Sequence, residues 1–233
     1  YLVNMRIAKF ISNSGYCSRR EAEKLILKRK VIINNQICEH PSEKVINGDM
    51  VKINNKIIQT NNKLELWMLY KPIKYICSNK DNFKRKKIFD LLPNKLKQLK
   101  SIGRLDYMSE GLILLTNDGD YSRFMELPSS SIKRTYRVCI NGIIKKNDLK
   151  KINSGLTINK IKYNKVKIVF EKNFKNYAWL IFKLREGKNR EIRNICKFFN
   201  WKIVKLIRIG YGSYKLGNLN PGEIKKINII KND

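Results

Sequence analysis

Ser101-Ile102-Gly103-Arg104-Leu105-Asp106-Tyr107-Met108-Ser109-Glu110-Gly111-Leu112-Ile113-Leu114-Leu115-Thr116-Asn117-Asp118-Gly119 falls into pieces of different character. A short apolar start runs into Gly103, and a polar loop then carries Arg104 and Asp106. The aliphatic run at 112–116 predicts a buried strand, and Asn117-Asp118-Gly119 predicts a turn after it. Asp106 is thereby expected in a loop held between two ordered pieces, a common place for a reactive group. Arg104 lies two residues earlier, so in an extended segment both side chains point the same way. Taken alone, an Arg-x-Asp is only a charged turn with a surface partner.

Outward from this stretch, short strands dominate. Runs at 66–70, 112–116, 135–140, 166–170, 177–183 and 204–209 predict strands, and Lys71-Pro72 ends the first. Two helices are expected among them, near 121–125 and over about 190–199. In the second, Ile192, Ile195, Cys196 and Phe199 share one face. Arg190, Arg193 and Lys197 fall on another, with Arg193 near the apolar border. The expectation is an α+β domain on a large, largely antiparallel sheet.

Upstream, residues 6–58 read as a smaller unit. Ile7, Ala8, Phe10 and Ile11 have helical spacing, and Gly15 follows as a stop. Ser18 and Glu21 form a capping box for the next helix, which buries Ala22, Leu25 and Ile26. Arg20, Lys24 and Lys28 line another face of that helix. Two near-repeats, 31–37 and 51–57, each place Asn-Asn between short apolar runs, which is hairpin chemistry because Asn tolerates positive φ. Residues 59–65 are polar and read as a linker. The division expected is 1–60, a small α/β unit, and 61–233, the larger domain.

Composition narrows the partner. Across 233 residues, 50 Lys+Arg against 19 Asp+Glu leave a formal charge of +31, which points to a polyanion. Part of the lysine excess follows the chain's richness in Lys, Asn and Ile; the arginines inside the motifs do not. Cys17, Cys38, Cys77, Cys139 and Cys196 show no C-x-x-C spacing, and His40 is the sole histidine, so no metal site is expected. An odd cysteine count suits free thiols in a reducing compartment. The cytoplasm is expected, or an organelle matrix if an upstream segment directs the chain there. No apolar run approaches the ~20 residues needed to span a bilayer. No phosphate-cradling G-x-x-x-x-G-K-[ST] and no strand-linked G-x-G-x-x-G is present, so no cofactor is expected.

Two resemblances sharpen this. Met5 to Ile58, with Ser18-Arg19-Arg20-Glu21-Ala22 and the hairpin after it, resembles the RNA-binding domain named after ribosomal protein S-four. The 101–119 stretch resembles the central motif of RsuA/RluB-type ribosomal RNA pseudouridine synthases, where Gly-Arg-Leu-Asp precedes a Gly-Leu-rich strand and Thr-Asn-Asp-Gly. Lys133-Arg134-Thr135-Tyr136-Arg137-Val138 is similar to the second motif, and Arg185-Glu186-Gly187-Lys188-Asn189-Arg190-Glu191-Ile192-Arg193 to the third. Leu219-Asn220-Pro221-Gly222-Glu223 is similar to the closing turn, so the likeness runs from Met5 to Ile227. The third motif departs from its pattern at Glu191, where glutamine is usual, and at Asn194, where a second basic residue is usual.

The resemblance implies an enzyme that turns a specific uridine of ribosomal RNA into pseudouridine, and a monomer is expected. It implies Asp106 as nucleophile, Arg193 as its partner, and Tyr136 over the target base. Arg104 is placed to hold RNA or fill the vacated space, and Arg19, Arg20, Lys24, Lys28, Lys188 and Arg190 are the candidate RNA contacts. The chemistry suits a carboxylate. A free Asp has a pKa of about 4, so it is ionised at neutral pH and needs no separate base. The base must also leave its stack, which costs a few kcal/mol. Whether the carboxylate attacks base or sugar stays open. A non-catalytic ribosome-assembly protein would explain the charge and residues 6–58 but not the three motifs. An RNA methyltransferase would require a glycine-rich cofactor loop after a strand.

Overall fold

The computed structural model describes residues 4–60, 63–79 and 81–230. The first unit comprises β1 (Asn4–Arg6), α1 (Ile7–Asn13), α2 (Arg19–Leu27), β2 (Val31–Ile33), β3 (Gln36–Ile37), β4 (Lys44–Ile46), β5 (Val51–Ile53) and β6 (Lys56–Ile58). The expected capping box starts α2: the Glu21 amide donates to the Ser18 hydroxyl at 3.3 Å, and the Ser18 amide donates to the Glu21 carboxylate at 3.1 Å. The β2–β3 and β5–β6 hairpins turn on Asn34-Asn35 and Asn54-Asn55, all left-handed. The strands lie in the order β3-β2-β5-β6, with β1 and β4 paired apart. Ile7, Ile11, Ala22, Ile26, Val31, Val51 and Ile53 are fully buried in this unit's own core. Part of the expected linker, 61–62, lies outside the described residues.

The larger domain follows with β7 (Leu66–Lys71), β8 (Lys100–Ile102), β9 (Glu110–Thr116), α3 (Gly119–Glu126), β10 (Arg134–Asn141), α4 (Lys146–Ser154), β11 (Leu156–Ile158), β12 (Ile161–Tyr163), β13 (Lys167–Phe174), β14 (Tyr177–Leu184), α5 (Glu191–Phe198), β15 (Lys202–Tyr211), β16 (Tyr214–Lys215) and β17 (Ile224–Ile227). The large sheet runs β13-β14-β10-β15-β9-β7-β17, with β8 on β9 and β16 on β15. Among the described residues, the β9–β15 pairing is the only parallel one in this sheet, so the sheet is largely antiparallel, as the α+β reading expects.

The sheet's hydrophobicity follows its two covered faces. Every residue of β9 is buried, which explains its unbroken aliphatic sequence. Leu112 and Leu114 join Met125 of α3 and Tyr211 on one side. Ile113 and Leu115 join Ile88, Phe89, Leu92 and Leu96 on the other. In the other half, Val138, Ile140, Leu180 and Phe182 pack under Ile192, Ile195 and Cys196 of α5 and Ile152 of α4. Among the described residues, no helix is long and apolar enough to cross a membrane.

Two expectations need correction. The domain has a third helix, α4, which a mostly polar sequence with one fully buried side chain, Ile152, did not announce. Asn117-Asp118-Gly119 is a helix start rather than a bare turn: the Asp118 carboxylate accepts from the amides of Asp120 and Tyr121 and caps α3.

Candidate active site

Asp106 sits in the loop between β8 and β9, at the floor of a cleft of about 730 Å³. The cleft is also lined by Arg104, Tyr136, Arg190, Glu191, Arg193 and Arg208. The loop leaves β8 through Gly103, whose φ of +69° ends regular extension, so Arg104 and Asp106 do not share a strand face. Both still line the cleft, with Arg104 exposed on its rim.

Arg193 is the residue that organises this loop. Its Nε donates to Asp106 Oδ2 at 3.1 Å, while Nη2 donates to the Met108 carbonyl at 3.0 Å and to Ser109 Oγ at 2.9 Å. One planar fork therefore orients the carboxylate and the chain after it, a geometry a lysine cannot copy. Arg190 adds a second cation, its Nη1 3.8 Å from Asp106 Oδ2. It was expected as an RNA contact; its position places it in the aspartate's own field. The third motif converges on Asp106 because it forms the connection from β14 into α5, and Arg193 in the first turn of α5 points inward.

Tyr136 lies on β10 between Phe182 of β14 and Arg208 of β15. Half-buried, it packs against the cores on both sides and lines the cleft. Lys188 is less available than expected, since its ammonium is held by the Glu186 carboxylate and the Lys162 carbonyl. Glu191 is buried; its Oε2 accepts from the Lys188 amide at 2.9 Å, and its Oε1 has no hydrogen-bond partner. Burial raises its pKa against the pull of the Lys188 and Gly187 amides. Asn194 donates to the Tyr163 hydroxyl at 3.0 Å, so this departure from the motif is spent inside the protein.

The structure also brings in residues the sequence reading passed over. Lys71 is fully buried, and its ammonium donates to the Ser109 carbonyl at 2.7 Å and the Pro72 carbonyl at 3.0 Å. Burial lowers its pKa from 10.5 to about 8, partly opposed by Cys77, Asp106 and Glu110. Arg208 is buried with its Nε on the Leu112 carbonyl at 2.7 Å and its Nη1 at 3.5 Å from the Arg104 carbonyl, so it ties both ends of the Asp106 loop to β15. Tyr211 lies beneath both Arg134 and Arg208, each guanidinium 5.0 Å from its ring centre. The available signal was a cation inside an apolar strand, as in Leu206-Ile207-Arg208-Ile209.

The basic residues of the first unit lie elsewhere. Arg20 and Lys24 are exposed on α2 and Lys28 at its C-cap, while Arg19 lines a separate groove of about 1210 Å³ between this unit and the larger domain. The two units touch through the Lys9–Asp120 ion pair and a 3.2 Å bond from Lys100 to Asn13. Among the described residues, no cluster of histidine, cysteine and carboxylate groups is arranged to hold a metal ion.

A cation-lined cleft with an arginine-held carboxylate, joined to a small basic unit, defines an enzyme that acts on RNA. A family model described as RNA pseudouridylate synthase matches residues 65–198, and an S4 domain model matches residues 5–51. The chain belongs to the RNA pseudouridylate synthase family and is an RNA pseudouridine synthase. It is 45% identical to an RNA pseudouridine synthase of Rickettsia felis over 96% of both chains. It is 30% identical to the ribosomal large subunit pseudouridine synthase B of Bacillus subtilis, over 95% of this chain and 91% of that one. A crystal structure of a pseudouridylate synthase superposes with a TM-score of 0.68 at 25% identity, over 96% of both chains.

Proposed function

We propose that the substrate is a uridine of ribosomal RNA and that Asp106 is the nucleophile acting on it after the base is flipped into the cleft. The observation that carries this reading is the single guanidinium of Arg193 shared by Asp106, Met108 and Ser109. It holds a carboxylate in one orientation at the floor of a cleft open to a polyanion. The name of the Bacillus subtilis relative supports ribosomal RNA.

In this scheme the bond from uracil N1 to the ribose carbon breaks, the base turns, and a bond from C5 to that carbon forms. The C5 proton is lost and N1 ends protonated, so atoms balance without any electron transfer. Asp106 attacks either the base or the sugar carbon. Tyr136 stacks on the turning base, and its hydroxyl is near to take part in the last proton transfer. Arg104 holds the RNA at the rim or fills the space the base leaves. Extrusion costs a few kcal/mol, which phosphate contacts offset.

Asp106→Asn keeps the size of the side chain and removes its charge. With unmodified ribosomal RNA transcripts and no added cofactor, wild type is expected to form pseudouridine. Asp106→Asn is expected to form none while binding the same RNA within a few-fold. Turnover by purified Asp106→Asn sinks the nucleophile assignment. Modification of other RNA classes, with both ribosomal transcripts untouched, sinks the substrate.

A further inference from the structure

The connection after β7 forms a closed loop at the mouth of the catalytic cleft. Its neck is joined by the Ile76 amide donating to the Lys86 carbonyl at 2.9 Å and the Ile88 amide donating to the Ile76 carbonyl at 3.0 Å. Inside the loop, Asp81 is the hub. Its side chain is only 5% exposed, and it accepts from the Phe83 amide at 3.2 Å, the Arg85 amide at 2.7 Å and the Arg85 guanidinium. Asp81 and Arg85 line the same cleft as Asp106 and Tyr107.

The tip of this loop presents Phe83, 78% exposed. The Arg85 guanidinium covers one side of the ring, 5.0 Å from its centre. The ring therefore has a fixed backbone, a cation behind it and an open face. It is flanked by Lys84, Arg85, Lys86 and Lys87 in unbroken succession. An exposed aromatic among cations suits a π-face attached to a phosphate chain far better than an apolar protein surface, which would leave those charges desolvated.

We propose that Phe83 is a stacking platform for a nucleobase flanking the target uridine. Arg85 braces the ring from behind, and the lysines of the loop engage the adjoining phosphates. The platform fixes the neighbouring base while the target base leaves the stack, and so contributes to the choice of site. This rests on the cleft being where the uridine reacts.

The test uses full-length protein and unmodified transcripts of both ribosomal RNAs, then a short RNA around the uridine found to be modified. Phe83→Ala is expected to lower kcat/KM by about 5- to 150-fold, the range for one base–aromatic stack. Phe83→Trp is expected to retain activity, and Phe83→Leu to resemble Phe83→Ala. An abasic nucleotide is then placed at each neighbouring position in turn. At one position the wild-type enzyme should lose the same factor, and Phe83→Ala should lose nothing further. The proposal is overturned if Phe83→Ala or Phe83→Leu matches wild type, or if the two losses multiply at every position. Asp106→Asn is assayed in parallel: activity there overturns the reading of the cleft, whereas a silent Phe83→Ala beside a dead Asp106→Asn overturns only the platform.

Discussion

Lys71 shows how a single buried charge can shape the loop that carries Asp106. Its ammonium is enclosed under the Ser109 carbonyl, within reach of the fields of Asp106 and Glu110. Enclosure disfavours the charged form, and the pKa falls from 10.5 to about 8. Below pH 8 the folded protein carries the full cost of the buried charge. Between pH 8 and 10.5 the unfolded chain binds more protons at this site than the folded one, so this contribution to stability rises with pH. The span corresponds to about 3 kcal/mol at 1.36 kcal/mol for each pH unit. Lys71→Met removes the titration. Urea unfolding of wild type and Lys71→Met at pH 7.5 and pH 10 should show the wild type gaining on the variant by about 2–3 kcal/mol as pH rises. Parallel curves would show that Lys71 titrates alike in both states. Arg193 works by different means: its guanidinium is partly open to the cleft, and its planar fork fixes the direction of the Asp106 carboxylate.

At the scale of elements, the decisive contact is the parallel crossing of β9 and β15. It pairs only Ile207 with Glu110 and Arg208 with Gly111. Gly111 has a φ of +104°, and a Cβ there would collide with the Arg208 carbonyl and amide. Glycine is thus required both by the backbone conformation and by the closeness of the strands. This crossing anchors the Asp106 loop to β15, because Arg208 reaches from it to the Leu112 and Arg104 carbonyls. Gly111→Ala combines backbone strain with overpacking, and the expected loss is at least about 3 kcal/mol. Denaturant unfolding measures it, and a loss below about 1 kcal/mol would mean the crossing yields easily. In contrast, β9 itself was legible from its aliphatic run, and α2 from its capping box. The helix α4 was not, because most of its surface faces water and Ile152 alone is fully buried.

For the whole molecule, charge and division of labour come together. The formal charge of +31 is distributed over two units with separate cores, the smaller presenting Arg20, Lys24 and Lys28 on one exposed helix face. If that face lies on RNA, it releases counterions in proportion to the phosphates it meets. Replacing the three residues with alanine should weaken RNA binding and reduce the slope of log K against log salt by about 2–3, at about 0.7–0.9 for each contact. Filter binding at several salt concentrations measures it. An unchanged slope would mark the stripe as a solvated face. The α2 core is untouched by these changes, since Ala22 and Ile26 provide the buried side.

The sequence by itself determined the class of protein, the two-unit layout and the identity of Asp106, Tyr136 and Arg193 as the residues to examine. Those conclusions rest on local signals: strand period, capping chemistry, Asn-Asn turns, and long motif-length resemblance. Only the tertiary structure added Arg190 to Arg193 beside Asp106, because both lie more than eighty residues away along the chain and arrive there through the β14–α5 connection. It alone disclosed Lys71, Arg134 and Arg208 as the buried frame, placed Lys188 in internal bonds, and brought Asp81 and Arg85, the neighbours of the exposed Phe83, to the cleft. A residue's type is written locally, but its burial and partners depend on which strands pair, and the non-local β9–β15 crossing that fixes them leaves no local mark beyond a glycine.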